Sequence, residues 1–181
     1  MLDNDYLGSI DLTWEDFEES CNAMAKQITK DFPDYKKMGI LGMARGGLII
    51  LGEISYLLDT KNVSIMQMTF KDIHGVYRKD NGPRYLGEFL KEDIDEYIVV
   101  EDILVTGKTI KAACERLEGL GKKIVGCYSM FMVGDFENEA IEKRDLKLWS
   151  YKKSDRRYWI NYPWDKRVII ERNSAWDAIN M

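Results

Sequence analysis

Apolar residues recur along this chain with two different periods. Trp14, Phe17, Cys21, Met24 and Ile28 follow one another at alternating spacings of three and four, the stripe of an amphipathic helix. Thr13 with Asp16 three residues later predicts a capping box at its start, and Phe32-Pro33 marks its end. Met38 to Met43 is a short apolar run bounded by turn residues and predicts a strand. Ala44-Arg45-Gly46-Gly47 then predicts a tight turn into a helix carrying Leu48, Leu51, Ile54, Ser55 and Leu58. A second strand is predicted at Val63 to Met68, after a connection at Asp59 to Asn62. Tyr97 to Val100 is a third, β-branched run. From Thr109 on, Ile110, Ala113, Cys114 and Leu117 predict a helix stopped by Gly119 and Gly121, with a further strand at Ile124 to Val133 and a last one near Val168 to Ile170. Strands alternating with helices imply an α/β fold, a mostly parallel central sheet with helices on both faces.

Two intervals break this pattern. Residues 70–88 carry Gly75, Gly82, Pro83 and Gly87 among many charges and hold neither period, which predicts a mobile functional loop. His74, the sole histidine, falls in it. From Asp135 on the chain is charged and aromatic, with Trp149, Tyr151, Tyr158, Trp159, Tyr162 and Trp164 crowded together.

Composition narrows the function classes. At 181 residues, 45% hydrophobic and 31% charged, the chain suits one soluble domain over 1–181, with no internal repeat and no clear linker. No apolar run approaches membrane-spanning length and the N-terminus is acidic, so a cytoplasmic protein without membrane contact is expected. Lys and Arg number 26 against 31 Asp and Glu, a net charge of −5 that makes nucleic acid an unlikely partner, although Lys152, Lys153, Arg156 and Arg157 form a local basic patch. A small anionic ligand remains compatible. Cys21, Cys114 and Cys127 form no C-x-x-C pair and read as buried thiols, and a single histidine excludes a His-rich metal site.

The chemistry concentrates in Ile98 to Thr109, where a buried strand delivers Glu101 and Asp102 to its C-terminal end and Thr106-Gly107-Lys108-Thr109 turns into a helix. Ligands of open parallel sheets bind at that end. The amides and hydroxyls of such a turn suit one phosphate, and the carboxylates suit sugar hydroxyls or a divalent cation with its waters. A ribose 5-phosphate with bound Mg2+ meets both demands. A P-loop would need glycine at Asp102, and the dinucleotide fingerprint G-x-G-x-x-G is absent. In the turn at Ala44 to Gly47, backbone amides of Arg45 and Gly46 can face pyrophosphate; the alternative is an ordinary turn with a solvated arginine.

Residues 98–109 resemble the phosphoribosyl pyrophosphate signature of the type I phosphoribosyltransferases: apolar strand, two acids, a short apolar stretch, then T-G-x-T. Thr13 to Asp16, Ala44 to Leu48 and Trp159 to Asp165 resemble, in order and spacing, the matching stretches of the bacterial xanthine-guanine branch of that family. The resemblance implies the family's sheet with a small C-terminal hood over residues 135–181, and the transfer of a 5-phosphoribosyl group from phosphoribosyl pyrophosphate to a purine-like base. It implies that Glu101, Asp102, Ile103, Leu104, Val105, Thr106, Gly107, Lys108 and Thr109 bind the ribose phosphate, with Asp102 on the metal. Arg45 and Gly46 would hold pyrophosphate, with a cis peptide at Ala44-Arg45. Trp159 would stack on the base while the backbone of Ile160 reads its edge; alternatively Trp159 is one more core aromatic. Tyr162, Pro163 and Trp164 would build the hood. Lys71, Arg78, Lys79 and Arg84 could cover the leaving pyrophosphate, Arg84 first among them. A homo-oligomer, dimer or tetramer, is also implied.

The chain departs from the 6-oxopurine pattern in two places. Val105 stands where those enzymes carry an aspartate near the purine N7, and Cys127 to Met132 contain no lysine to read the 6-oxo group. Ribose-phosphate handling looks preserved while base choice is open, because unpaired polar groups are what reject a wrong base strongly. The alternative is a catalytically inert regulator that senses phosphoribosyl pyrophosphate or a nucleotide.

Overall fold

The computed structural model of the chain describes residues 7–70, 82–133, 144–154 and 158–165. His74, Lys71, Arg78, Lys79, Arg156, Arg157 and the strand expected near Val168 lie outside them. The elements are β1 (Ser9–Asp11), α1 (Trp14–Asp31), β2 (Gly39–Ala44), α2 (Gly46–Leu57), β3 (Val63–Thr69), β4 (Arg84–Phe89), β5 (Glu96–Leu104), α3 (Lys108–Glu118), β6 (Lys123–Val133), β7 (Lys147–Ser154) and β8 (Trp159–Asn161).

Local chemistry explains the three helices. In α1 the Thr13 hydroxyl accepts from the Asp16 amide at 3.1 Å while the Asp16 carboxylate accepts from the Thr13 amide at 3.0 Å, the reciprocal capping box. Its stripe Phe17, Cys21, Met24 and Ile28 is buried. Helix α2 starts at Gly46 and is apolar nearly throughout, with Glu53 its one charged residue. Helix α3 is entered through Gly107 at φ 66°, left-handed backbone that a side chain would disfavour.

Six strands form the central sheet in the order β4-β3-β2-β5-β6-β7, parallel except for β4. One face packs Ile40, Ile98, Val100 and Tyr128 under α1 and α2; the other packs Leu41, Val99 and Cys127 under α3. Helices on both faces of a mostly parallel sheet are what the alternating pattern predicts. The three cysteines are buried and free.

Two expectations change. Residues 70–88 are not all loop, because Arg84–Phe89 is an edge strand antiparallel to β3. Its anchors are distant in sequence: Arg116 pairs with Glu88 at 2.7 Å and lies 4.8 Å from the Tyr85 ring centroid. Residues 135–181 are not all hood, because β7 takes the last place in the central sheet, while the two-stranded hood pairs β8 with β1 from the N-terminus. Within the basic patch, Lys152 donates to Asp16 of α1 at 3.2 Å.

Candidate active site

The connections from β2 and β5 diverge. β2 runs through α2 to β3 on one side, and β5 runs through α3 to β6 on the other. A crevice opens at such a switch point, beyond the strands' carboxyl ends. The register shows how: β2 accompanies β5 only as far as Val100, paired with Gly42, whereas β6 continues beside Glu101, Ile103 and Leu104. The acids therefore lie within β5, paired on the β6 side and open on the β2 side, rather than after its end. A longer β6 causes this, which the β5 sequence alone does not reveal.

The crevice is a cavity of about 930 Å3. Its walls bring together Arg45 and Gly46 after β2, Glu101, Asp102 and Ile103 of β5, Thr109 of α3 and Trp159 of the hood. Those seven were expected at the site. Leu104, Val105, Thr106, Gly107, Lys108 and Ile160 do not line it in this state. Leu104 is buried in the α3-side core and Val105 packs against the α1-side core. Thr106 and Lys108 are exposed, and Gly107 supplies the bend. Arg84 sits exposed on β4 and is not among the lining residues, so its place over the cavity is not supported by this arrangement.

Gly46 and Gly47 are set by close approach. A Cβ on Gly46 would fall on the Asp102 carboxylate, and one on Gly47 would stand 2.6 Å from the Val100 carbonyl oxygen. The start of α2 thus rests directly on the acid-bearing part of β5. The Ala44–Arg45 peptide is cis. At the other rim, α3 begins without a side-chain cap, leaving first-turn amides available to an anion.

The acidic pair is electrostatically tense. Glu101 Oε1 accepts from the Asp102 amide at 3.0 Å and Asp102 Oδ1 from the Ile103 amide at 2.8 Å. Burial pushes the Glu101 carboxyl well above its ordinary 4.5, and the adjacent Asp102 charge pushes it further. Among the described residues no cluster of three or more side chains could cage a metal ion. Two hard carboxylates facing a cavity do fit Mg2+, which commonly takes one or two carboxylates together with ligand oxygens and water.

The hood contributes an aromatic wall. Trp159 is 53% exposed, which sets its ring apart from the core aromatics. Tyr162 stacks on Trp164 at 4.7 Å, and Trp164 meets Phe17 of α1 edge-on at 5.5 Å. Ile160 is buried, but its backbone matters. The Trp159 amide donates to Gly8 O and Asn161 O accepts from Leu12, each at 2.9 Å. Alternate residues of a strand bond a parallel neighbour, so the N–H and C=O of Ile160 point away from β1. Sequence reasoning missed Gln67, Met68 and Thr69 of β3, and Asn161 and Asp165 of the hood, which also line the cavity. Tyr162 and Trp164, expected only as hood, line it too. No motif flags β3, whose place beside the cavity follows from sheet order.

The family model for the phosphoribosyl transferase domain matches residues 12–168. Among curated relatives, the xanthine-guanine phosphoribosyltransferase of Idiomarina loihiensis is 25% identical over 161 residues, 87% of each chain. The hypoxanthine-guanine phosphoribosyltransferase of Staphylococcus aureus is 29% identical over 109 residues, 59% of each. A purine phosphoribosyltransferase from Pyrococcus horikoshii shares the fold with a TM-score of 0.65 at 24% identity, over 87% of this chain and 94% of that one. The Helicobacter pylori xanthine-guanine-hypoxanthine enzyme does so at 0.68 and 18%, over 91% and 98%. With the cavity at the switch point of the same fold and the family model spanning most of its length, this chain belongs to the phosphoribosyltransferases, and so to the pentosyltransferases.

Proposed function

We propose that the protein, as one domain over 1–181, transfers the 5-phosphoribosyl group of phosphoribosyl pyrophosphate to a purine base of the xanthine, guanine or hypoxanthine type, releasing pyrophosphate. The observation that carries this reading is the meeting of Glu101-Asp102, Arg45-Gly46, the head of α3 and the exposed Trp159 ring around one cavity. The names of the two curated relatives given above, transferases of xanthine, guanine or hypoxanthine, favour turnover over the regulatory alternative.

In this reading the amides of the Thr106 to Thr109 turn and the Thr109 hydroxyl take the 5-phosphate. Glu101 and Asp102 hold the ribose hydroxyls, and Asp102 would be the residue that holds Mg2+, which when bound would supply positive charge beside the phosphates. Arg45 and Gly46 take the pyrophosphate, and Trp159 stacks on the base. Catalysis then consists of alignment and charge stabilisation. Val105 cannot accept a proton, and Met132, beside Leu104 on β6, offers no cation. Base recognition accordingly falls to the Ile160 backbone, with Gln67 and Asn161 as polar neighbours on the wall. A cytoplasmic homo-oligomer completes the proposal.

Pyrophosphate release, assayed with Mg2+ and phosphoribosyl pyrophosphate over a panel of bases, tests it. Turnover with xanthine, guanine or hypoxanthine is expected. Turnover with another base alone overturns the purine assignment, and tight phosphoribosyl pyrophosphate binding with no turnover on any base overturns the enzyme.

A further inference from the structure

Two hydroxyls near the acidic pair are buried without a hydrogen-bond partner among the described residues: Ser129 Oγ, beside Glu101 on β6, and Tyr162 Oη, in the turn after β8. Burying a hydroxyl unpaired is unfavourable. Ser129 is locked in the sheet ladder. Tyr162 instead belongs to the cavity wall, is 6% exposed, and has its ring fixed by the stack on Trp164 at 4.7 Å and 10°. Its amide donates to Asp165 Oδ2 at 2.9 Å, which ties down the turn and leaves the phenol as the unused group. After burial, the charge acting most strongly on this phenol is Asp102, followed by Glu101 and Asp165, and together they hold it protonated across the neutral range. A protonated phenol set among carboxylates is a hydrogen-bond donor.

We propose that Tyr162 is a positioning residue for Asp102: when phosphoribosyl pyrophosphate enters, the phenol O–H donates to the Asp102 carboxylate and fixes its orientation toward the ribose. This rests on the transferase reading above and deepens it. Asp102 already lies against Gly46, which restricts where its carboxylate can turn. A donor from the hood would complete that restriction and couple hood to strand on binding. The unpaired hydroxyl is then the cost of a bond made only in the complex.

Tyr162→Phe keeps the ring and its stack, so the fold is retained. Three readouts on wild type, Tyr162→Phe, Asp102→Asn and the double variant decide the matter: melting temperature without ligand, calorimetric Kd for phosphoribosyl pyrophosphate with Mg2+, and the KM for the base. Tyr162→Phe is expected to melt at the wild-type temperature or above and to weaken phosphoribosyl pyrophosphate about tenfold, with the base KM unmoved. On the Asp102→Asn background its effect should shrink to less than about twofold, since partners in one interaction are not additive. A lowered melting temperature, an unchanged Kd, or an equal loss in both backgrounds overturns the inference. If wild type itself fails to bind phosphoribosyl pyrophosphate, the transferase reading is what has failed; if it binds and Tyr162→Phe binds as well, only the role of Tyr162 has.

Discussion

Gly46 and Glu101 show how tightly single residues are constrained at this site. Gly46→Ala places a methyl group where the Asp102 carboxylate sits, so either α2 or the carboxylate must shift. Overpacking of this kind costs about 1–3 kcal/mol, and displacement of the acid should lower kcat/KM for phosphoribosyl pyrophosphate by about a hundredfold, a loss of the size that misplaced reacting groups produce. Thermal melts and steady-state kinetics on one preparation check both effects. For Glu101 the folded state raises the carboxyl above its ordinary 4.5, so the folded chain holds a proton that the unfolded chain releases earlier. Stability from this group is complete below 4.5 and is lost as pH climbs through the raised value. Glu101→Gln never ionises. Denaturant titrations should therefore show it gaining on wild type as pH rises from about 4 to about 8, by about 1.4 kcal/mol for each unit of elevation. A difference that stays flat with pH would mean the Glu101 carboxyl is not raised. The acids and the glycine turn are legible from residue types in order. The tension between them is not, because it depends on where β2 stops.

Among the elements, those that carry their own signals are the ones the sequence reveals. Helix α1 has both a stripe and a cap, and Thr13→Ala should cost it about 1 kcal/mol, read as a shift in urea midpoint with an unchanged slope. The short and peripheral strands carry no such signal. β1 and β8 have three residues each, too few to show a period, and are strands only because they pair with each other across the length of the chain. β7 mixes lysines with Leu148 and Trp149 on a sheet edge, where outward charge is usual and hides alternation. β4 is fixed partly by Arg116, from a helix nearly thirty residues later. Lys122, just before β6, holds the segment between β4 and β5 and offers a check on such long-range ties. It is mostly buried and donates to the carbonyls of Lys91, Glu92 and Ile94. Lys122→Met keeps the stem but strands those carbonyls, so a loss of about 1–3 kcal/mol is expected in denaturant titration. An unchanged midpoint would show that water replaces the ammonium without cost.

On the scale of the whole molecule, the remaining anomaly is apolar surface where a monomer would place charge. Helix α2 is apolar nearly all round, a pattern normally buried on every side, yet Tyr56 is 87% exposed and Leu48 and Leu57 are exposed with it. Beyond α2 the paired Ile65 and Phe89 of β3 and β4 are also exposed, Phe89 at 65%. Clusters of this kind mark contact surfaces more often than solvated faces. The proposed homo-oligomer would supply the cover, since a second copy can present the same apolar face to it about a two-fold axis. Placing Tyr56→Glu and Phe89→Glu together in that face buries two charges without partners, which an interface tolerates poorly. Sedimentation velocity should show the wild type larger than one chain and the double variant reduced to a monomer at the same concentration. Because Arg45 and Gly46 open the same helix that carries Tyr56, loss of the interface should also weaken phosphoribosyl pyrophosphate binding severalfold. A wild type that sediments as a single chain at high concentration would leave this face to some other partner and remove the oligomer from the proposal.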